Sequence, residues 1–211
     1  MIIAIDGPAA AGKGTLARRI AEAFGFAYLD TGALYRATAK KVLDQAIDPD
    51  DAQGCTVVAL NLTPDDLDVE GLRTEAVGQA ASKVSAIPGV RSALLRFQRE
   101  IAANPPGGKG GAVLDGRDIG TVVCPDADVK FFVTASTEVR AERRFKELRE
   151  AGEDAIYARV LEEMRERDAR DTNRAVAPLK PAEDATVIDT SGLDADQVFE
   201  QAREIVTATQ A

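Results

Sequence analysis

"GPAAAGKGT" occupies residues 7–15 and follows the apolar run "IIAI" (2–5) and Asp6. The stretch nearly spells the phosphate-binding pattern G-x-x-x-x-G-K-[ST], with Gly7, Gly12 and Lys13 in register. Gly14 stands where a hydroxyl ordinarily ligates magnesium, and Thr15 arrives one residue late. The stretch is open to three readings: a damaged nucleoside-triphosphatase loop, a Gly-rich turn with only a geometric role, or a different phosphoryl-transfer loop. Its context favours a working loop. "MIIAID" (1–6) reads as a buried strand and "KGTLARRIAEAF" (13–24) as an amphipathic helix, so the glycines fall on a strand-to-helix turn. There, Gly7 and Gly12 let backbone N–H groups turn inward around a phosphate, and the helix N-terminus adds partial positive charge. Lys13 supplies a point charge toward the transferred group and is the first catalytic candidate. Ala9, Ala10, Ala11, Gly14 and Thr15 complete the expected nucleotide-binding loop with Gly7, Gly12 and Lys13.

Outward from this loop, short apolar runs alternate with helical patterns. "FAYLD" (26–30), "AVLD" (112–115), "DVKFFVTA" (128–135) and "ATVID" (185–189) read as further strands. Helices are predicted over about 32–46, 137–150, 154–172 and 194–208. Residues 50–104 hold helical patterns broken at Pro64, Gly71 and "IPG" (87–89). Five strands separated by helices predict an α/β fold: a P-loop NTPase-type, five-stranded parallel sheet with helices on both faces. One domain, 1–211, is expected, with a core of 1–60, 105–150 and 175–211. A helical insert over about 61–104 and a short helical lid over about 151–174 would interrupt it. "NPPGGKGG" (104–111) and "APLKPAED" (177–184) are the expected linkers. An insert at that place overhangs the carboxyl ends of the strands, where open parallel sheets bind ligands.

Composition narrows the chemistry. The formal charge of -9 argues against a general nucleic-acid binder, and no apolar run approaches the length of a membrane span. The N-terminus lacks a signal-peptide layout, and the 2 cysteines, Cys55 and Cys124, form no C-x-x-C pair. A cytoplasmic protein with reduced thiols is expected. The histidine count of 0 excludes Ser-His-Asp and Cys-His catalysis and His-ligated metals. Lys, Arg, carboxylates and a bound ion remain. Arg outnumbers Lys, 18 to 8, which suits bidentate phosphate recognition, although a GC-rich genome gives the same bias. Asp6, Asp30, Asp115 and Asp189 each end a predicted strand. Asp115 lies on the third, which in this fold neighbours the first, and is the candidate carboxylate on the magnesium side.

"GKGT" (12–15) resembles the loop of the nucleoside monophosphate kinases, in which Gly follows the Lys and the Thr serves the α-phosphate side. Magnesium is held there through waters, nucleotide oxygens and an acid at a strand end, which implies Mg2+ at Asp115 through water. "LDTGALYR" (29–36), "ASKVSAIPGVRSALLRFQR" (81–99), "DGRDIGTVVCPDADVKFFV" (115–133) and "ERDARDTNRAVAPL" (166–179) together resemble the bacterial cytidylate kinases, over nearly the whole chain. The resemblance implies transfer of the ATP γ-phosphoryl group to CMP or dCMP. It places Thr31, Arg36, Ser82, Arg91, Arg117, Asp118, Arg167, Asp171 and Arg174 around the acceptor nucleotide, and makes 61–104 an acceptor-binding insert.

Within that resemblance, Ser82, Arg91 and Asp118 complement the donors and acceptors of cytosine, with Asp118 accepting from the exocyclic amine. Arg36 and Arg117 suit the acceptor phosphate. Arg167 and Asp171 resemble a pair that grips ribose or deoxyribose. Arg170 and Arg174 resemble lid arginines that swing onto the transferring group. Two features depart from the family: Ala10 stands where many such kinases have Gly, and residues 60–77 are too short for a β-hairpin-rich insert. A monomer acting on ATP and CMP or dCMP, with no nucleic-acid or membrane partner, is expected. The rivals are a kinase of the same fold for AMP, UMP, shikimate or gluconate, and a nucleotide-binding module without turnover.

Overall fold

Ile3, Ala4 and Ile5 are wholly buried because β1 (Ile2–Asp6) runs through the middle of the sheet, between β3 (Ala112–Gly116) and β4 (Val129–Thr134). The computed structural model describes residues 1–210. β2 (Ala27–Asp30) and β5 (Thr186–Asp189) lie at the edges, giving the order β2-β3-β1-β4-β5 with every pairing parallel. The sheet is the one expected from the five apolar runs. Parallel strands covered on both faces are apolar along their length, which is why they could be read.

Alternation along each strand divides the core. Ile3, Ile5 and Val113 face the cluster completed by α1 (Lys13–Phe24) and α8 (Ala195–Gln210). Ala4 and Leu114 face the opposite layer, with Ala102 of α5 (Pro88–Ala103) and Ile119. A second apolar cluster joins α2 (Thr31–Asp44), α3 (Ala52–Leu60), α4 (Glu75–Val84) and α5 through Leu34, Val42, Cys55, Val84, Val90 and Leu94. α3 therefore packs with the helices that follow it. A helical hairpin, α6 (Thr137–Glu150) and α7 (Tyr157–Asn173), packs through Ala141, Leu148, Val160 and Met164 against Ala9 and Ala10 of the loop.

The short segment before α4 contains a single 3-10 turn, Pro64–Leu67, and among the described residues no strand lies between Asp30 and Ala112. Asp66 accepts from the Thr63 N–H at 2.8 Å and pairs with Lys41 of α2 at 2.8 Å, fixing the turn to the helical layer. After β3 the chain makes one wide, π-type turn, Ile119–Val123, which the sequence did not lead us to expect. Its cause is distant in sequence. The Asp6 carboxylate accepts from the N–H groups of Ile119 and Gly120 at 2.8 Å each. Asp6 thus serves the fold, and burial pushes its carboxyl up to about 6.

Candidate active site

Two glycines set the phosphate loop. Gly7 has φ 146°, and a Cβ there would stand 1.9 Å from the Val133 carbonyl oxygen, so the loop leaves β1 in contact with β4. Gly12, at φ 93°, is the left-handed residue from which α1 starts. Ala10 also lies in the left-handed region, at φ 56°, a conformation that glycine adopts more readily. Lys13 is buried, and its Nζ donates to the Pro8 carbonyl at 2.7 Å. Burial, and then the nearby Arg117 guanidinium, push its amine down to about 7.

Across the loop, the register sets Asp30 beside Asp115. Asp30 caps α2, accepting from the Ala33 N–H at 3.1 Å, and pairs with Arg36 Nη2 at 2.6 Å. Asp115 is buried and accepts from the Tyr28 hydroxyl at 3.3 Å. Burial, followed by the neighbouring Asp30, raises its carboxyl to about 6. Its Oδ2 faces Gly14. No group of three or more His, Cys, Asp or Glu converges as a metal cage among the described residues. One buried carboxylate beside a phosphate loop fits magnesium, which keeps its waters and takes phosphate oxygens.

A cavity of about 280 Å³ extends from the loop to the helical layer. It brings together Ala9–Thr15, Thr31, Arg36, Ser82, Arg91, Asp115, Arg117, Asp118, Arg167, Asp171 and Arg174. Thr31 Oγ1 donates to the Asp115 carbonyl at 2.7 Å, tying α2 to β3. At one end, Asp118 is held between Arg91, which is hydrogen-bonded to it, and Arg174 Nη2 at 3.4 Å. Arg91 Nη1 also donates to the Ser85 carbonyl at 3.2 Å. Nearer the loop, Arg117 Nε donates to Asp171 Oδ2 at 3.0 Å. Arg117 and Arg167 hold the Asp171 carboxyl below the usual range against the effect of burial. Arg167 is pushed down to about 10, chiefly by burial and next by Arg117. The buried Nε groups of Arg36 and Arg167 have no acceptor among the described residues.

Gly7 and Arg170 lie outside the cavity lining. Arg170 Nε donates to Ser82 Oγ at 3.2 Å and its Nη2 to Gln79 Oε1 at 2.6 Å, so it rests on α4. Sequence reasoning passed over Tyr28 and Tyr35, both of which line the cavity. The Tyr35 ring lies 5.7 Å from the Arg91 guanidinium. Tyr28 stands in the apolar strand "FAYLD" and Tyr35 beside Arg36 in "LDTGALYR", where neither carries a charge or motif position that marks it.

A parallel sheet with a phosphate loop at its central strand, opening on a cavity lined by guanidinium groups, defines a P-loop kinase of a small phosphorylated acceptor. The comparisons agree. The cytidylate kinase family model matches residues 3–208. The cytidylate kinase of Paramagnetospirillum magneticum is 66% identical over 205 residues, 97% of each chain. That of Methylocella silvestris is 58% identical over 206 residues, covering 98% of this chain and 94% of the relative. Among solved structures, TT1252 from Thermus thermophilus shares the fold, with TM-score 0.53 and 18% identity over 100% of this chain and 98% of its own. The chain belongs to the cytidylate kinase family, and it is an enzyme of the nucleoside monophosphate kinase class.

Proposed function

We propose that this chain transfers the γ-phosphoryl group of ATP to CMP and dCMP, releasing ADP and CDP or dCDP. The observation that carries this is the placement of Ser82, Arg91 and Asp118 in the same cavity as the Lys13 loop. A base read at one end would present its 5′-phosphate toward the loop. Asp118 accepts from both Arg91 and Arg174, and its oxygens keep lone pairs for the cytosine amine. The uncommitted buried N–H groups of Arg36 and Arg167 suit phosphate and sugar oxygens, since a buried donor without an acceptor is costly. Arg117 and Asp171 complete that middle section, and Thr31 anchors it to the strand end.

Catalysis then needs alignment and charge neutralisation more than proton transfer. An acceptor phosphate oxygen, already anionic near neutral pH, attacks the γ-phosphorus as the bond to the β–γ bridging oxygen breaks. Lys13 follows the migrating group. Arg174, and Arg170 once it leaves Ser82 and Gln79, neutralise charge that spreads over the phosphoryl oxygens. Asp115 would hold magnesium through water, and the ion would there supply charge neutralisation on the nucleotide oxygens. Residues 61–104 act as the acceptor insert and 151–174 as the lid, whose closure excludes water. A monomer is the proposed state, and the buried free thiols of Cys55 and Cys124 suit a reducing cytoplasm.

A coupled ADP-release assay with ATP, with and without magnesium, against CMP, dCMP, UMP and AMP tests this function. CMP and dCMP should be turned over well above UMP, and only with the metal present. AMP turnover at or above that of CMP overturns the substrate. Nucleotide binding without ADP release in any arm favours the non-catalytic module.

A further inference from the structure

Arg140 has no part in the chemistry above, yet it is buried, at 4% exposure, beside the phosphate loop. It sits in the first turn of α6, and every one of its five N–H donors has an acceptor. Nε donates to the Ala135 carbonyl at 2.9 Å, at the end of β4. Nη1 reaches the Ala9 carbonyl at 3.4 Å and Asp168 Oδ1 at 3.2 Å. Nη2 reaches Asp168 Oδ2 at 2.7 Å and Thr137 Oγ1 at 3.0 Å. One planar group thereby joins the central sheet, the loop and the lid.

We infer that Arg140 and Asp168 form a positioning pair that sets the rotation of α7 relative to the phosphate loop, so that the lid's reactive face and the donor loop are aligned together. The inference rests on the phosphoryl-transfer function proposed above and extends it to residues that touch neither substrate. Asp168 follows Arg167 directly and precedes Asp171 by three positions, about one helical turn. The two-point fork on Asp168 resists rotation of α7 about its axis in a way a single contact does not. Rotation would carry Arg167, Asp171 and Arg174 off the cavity together. The same guanidinium holds the Ala9 carbonyl next to Ala10, the residue in left-handed conformation, so loop shape and lid orientation share one determinant. Lysine cannot replace it, having three donors and no planar fork.

Steady-state kinetics with ATP and CMP, alongside thermal unfolding, test this on the wild type, Asp168→Asn, Arg140→Gln, their double variant and Asp184→Asn. Asp184 is the control, because it pairs with buried Lys130 at 2.7 Å and does not line the cavity. Asp168→Asn should lower kcat roughly tenfold or more and raise KM for CMP, with KM for ATP within about threefold. Its Tm should match that of Asp184→Asn, which should keep wild-type kcat. The double variant should lose no more than Arg140→Gln, because Asp168 acts through Arg140. Wild-type kinetics in Asp168→Asn would overturn the inference, as would an equal loss in Asp184→Asn or multiplying losses in the double variant. If Arg140→Gln fails to fold, the Asp168 and Asp184 variants decide the matter alone. Failure of the wild type on CMP would instead reject the proposed function.

Discussion

Asp115 Oδ2 lies 3.4 Å from the point that a Cβ on Gly14 would occupy, with the Tyr28 hydroxyl 3.7 Å from the same point. The hydroxyl missing from the phosphate loop is therefore not a simple loss. The space it would need is faced by a buried carboxylate, which under the proposed function would serve the magnesium side in its stead.

Restoring a standard loop should accordingly do harm. Gly14→Ala places one methyl in ordinary contact and should retain most activity. Gly14→Thr presses a branched side chain on Asp115 and Tyr28, and should lower kcat by roughly tenfold or more. Steady-state rates of the two variants check this; a Thr variant as active as the parent would contradict it.

Lys13→Ala should nearly abolish turnover, by roughly 100-fold or more as for loss of one charge-stabilising donor, without unfolding the protein. Lys13 titrates near 7 in the folded chain, well below its ordinary range, so burying its charge is a cost at pH 7 and below. Removing it should not lower Tm there. Thr15, exposed on the cavity lining, should tolerate Ala far better. Equal severity at the two positions with unchanged Tm would refute the shifted-loop account.

Asp115→Asn should separate stability from activity. The Asp115 carboxyl is raised to about 6 in the folded protein, so between its unfolded value near 4 and about 6 the native state binds more protons than the unfolded one. Folding stability contributed by this group is complete below about pH 4 and declines as pH rises through 6. The Asn variant should therefore melt higher than the wild type at pH 7–8 and at the same temperature near pH 4, while losing activity. Melting curves across pH check the sign; a lower Tm for Asp115→Asn at pH 7 would contradict it.

Much of this was legible in the sequence for physical reasons that are local. Gly7 and Gly12 occupy backbone conformations that other residues resist, and parallel strands buried on both faces read as apolar runs. An insert beginning near residue 61 leaves α3 outside it, whereas α3 packs with α4 and α5 through long-range apolar contacts that periodicity cannot reveal. The turn at Ile119–Val123 depends on a carboxylate more than a hundred positions away. Arg170 shows the same limit. Its place in "ERDARDTNRAVAPL" does not disclose its partners, and only the packed structure shows it hydrogen-bonded to Gln79 and Ser82 on α4.

The most direct test of the central claim, that this cavity reads cytosine, is the ratio of kcat/KM for CMP to that for UMP in the wild type, Asp118→Ala and Asp118→Asn. Cytosine presents an amine where uracil presents a carbonyl, so the Asp118 carboxylate can accept a hydrogen bond only from cytosine and opposes uracil. Losing a charge-assisted hydrogen bond is worth about 1.5–3 kcal/mol, roughly 10- to 150-fold in kcat/KM. Part of any loss will come from freeing Arg91 and Arg174, which both pair with Asp118, but that part should affect both substrates alike. The ratio should therefore favour CMP strongly in the wild type and fall in both variants. It should fall further in Asn, whose amide can turn toward the uracil carbonyl. A ratio unchanged from the wild type in both variants would contradict the account and remove Asp118 from base recognition.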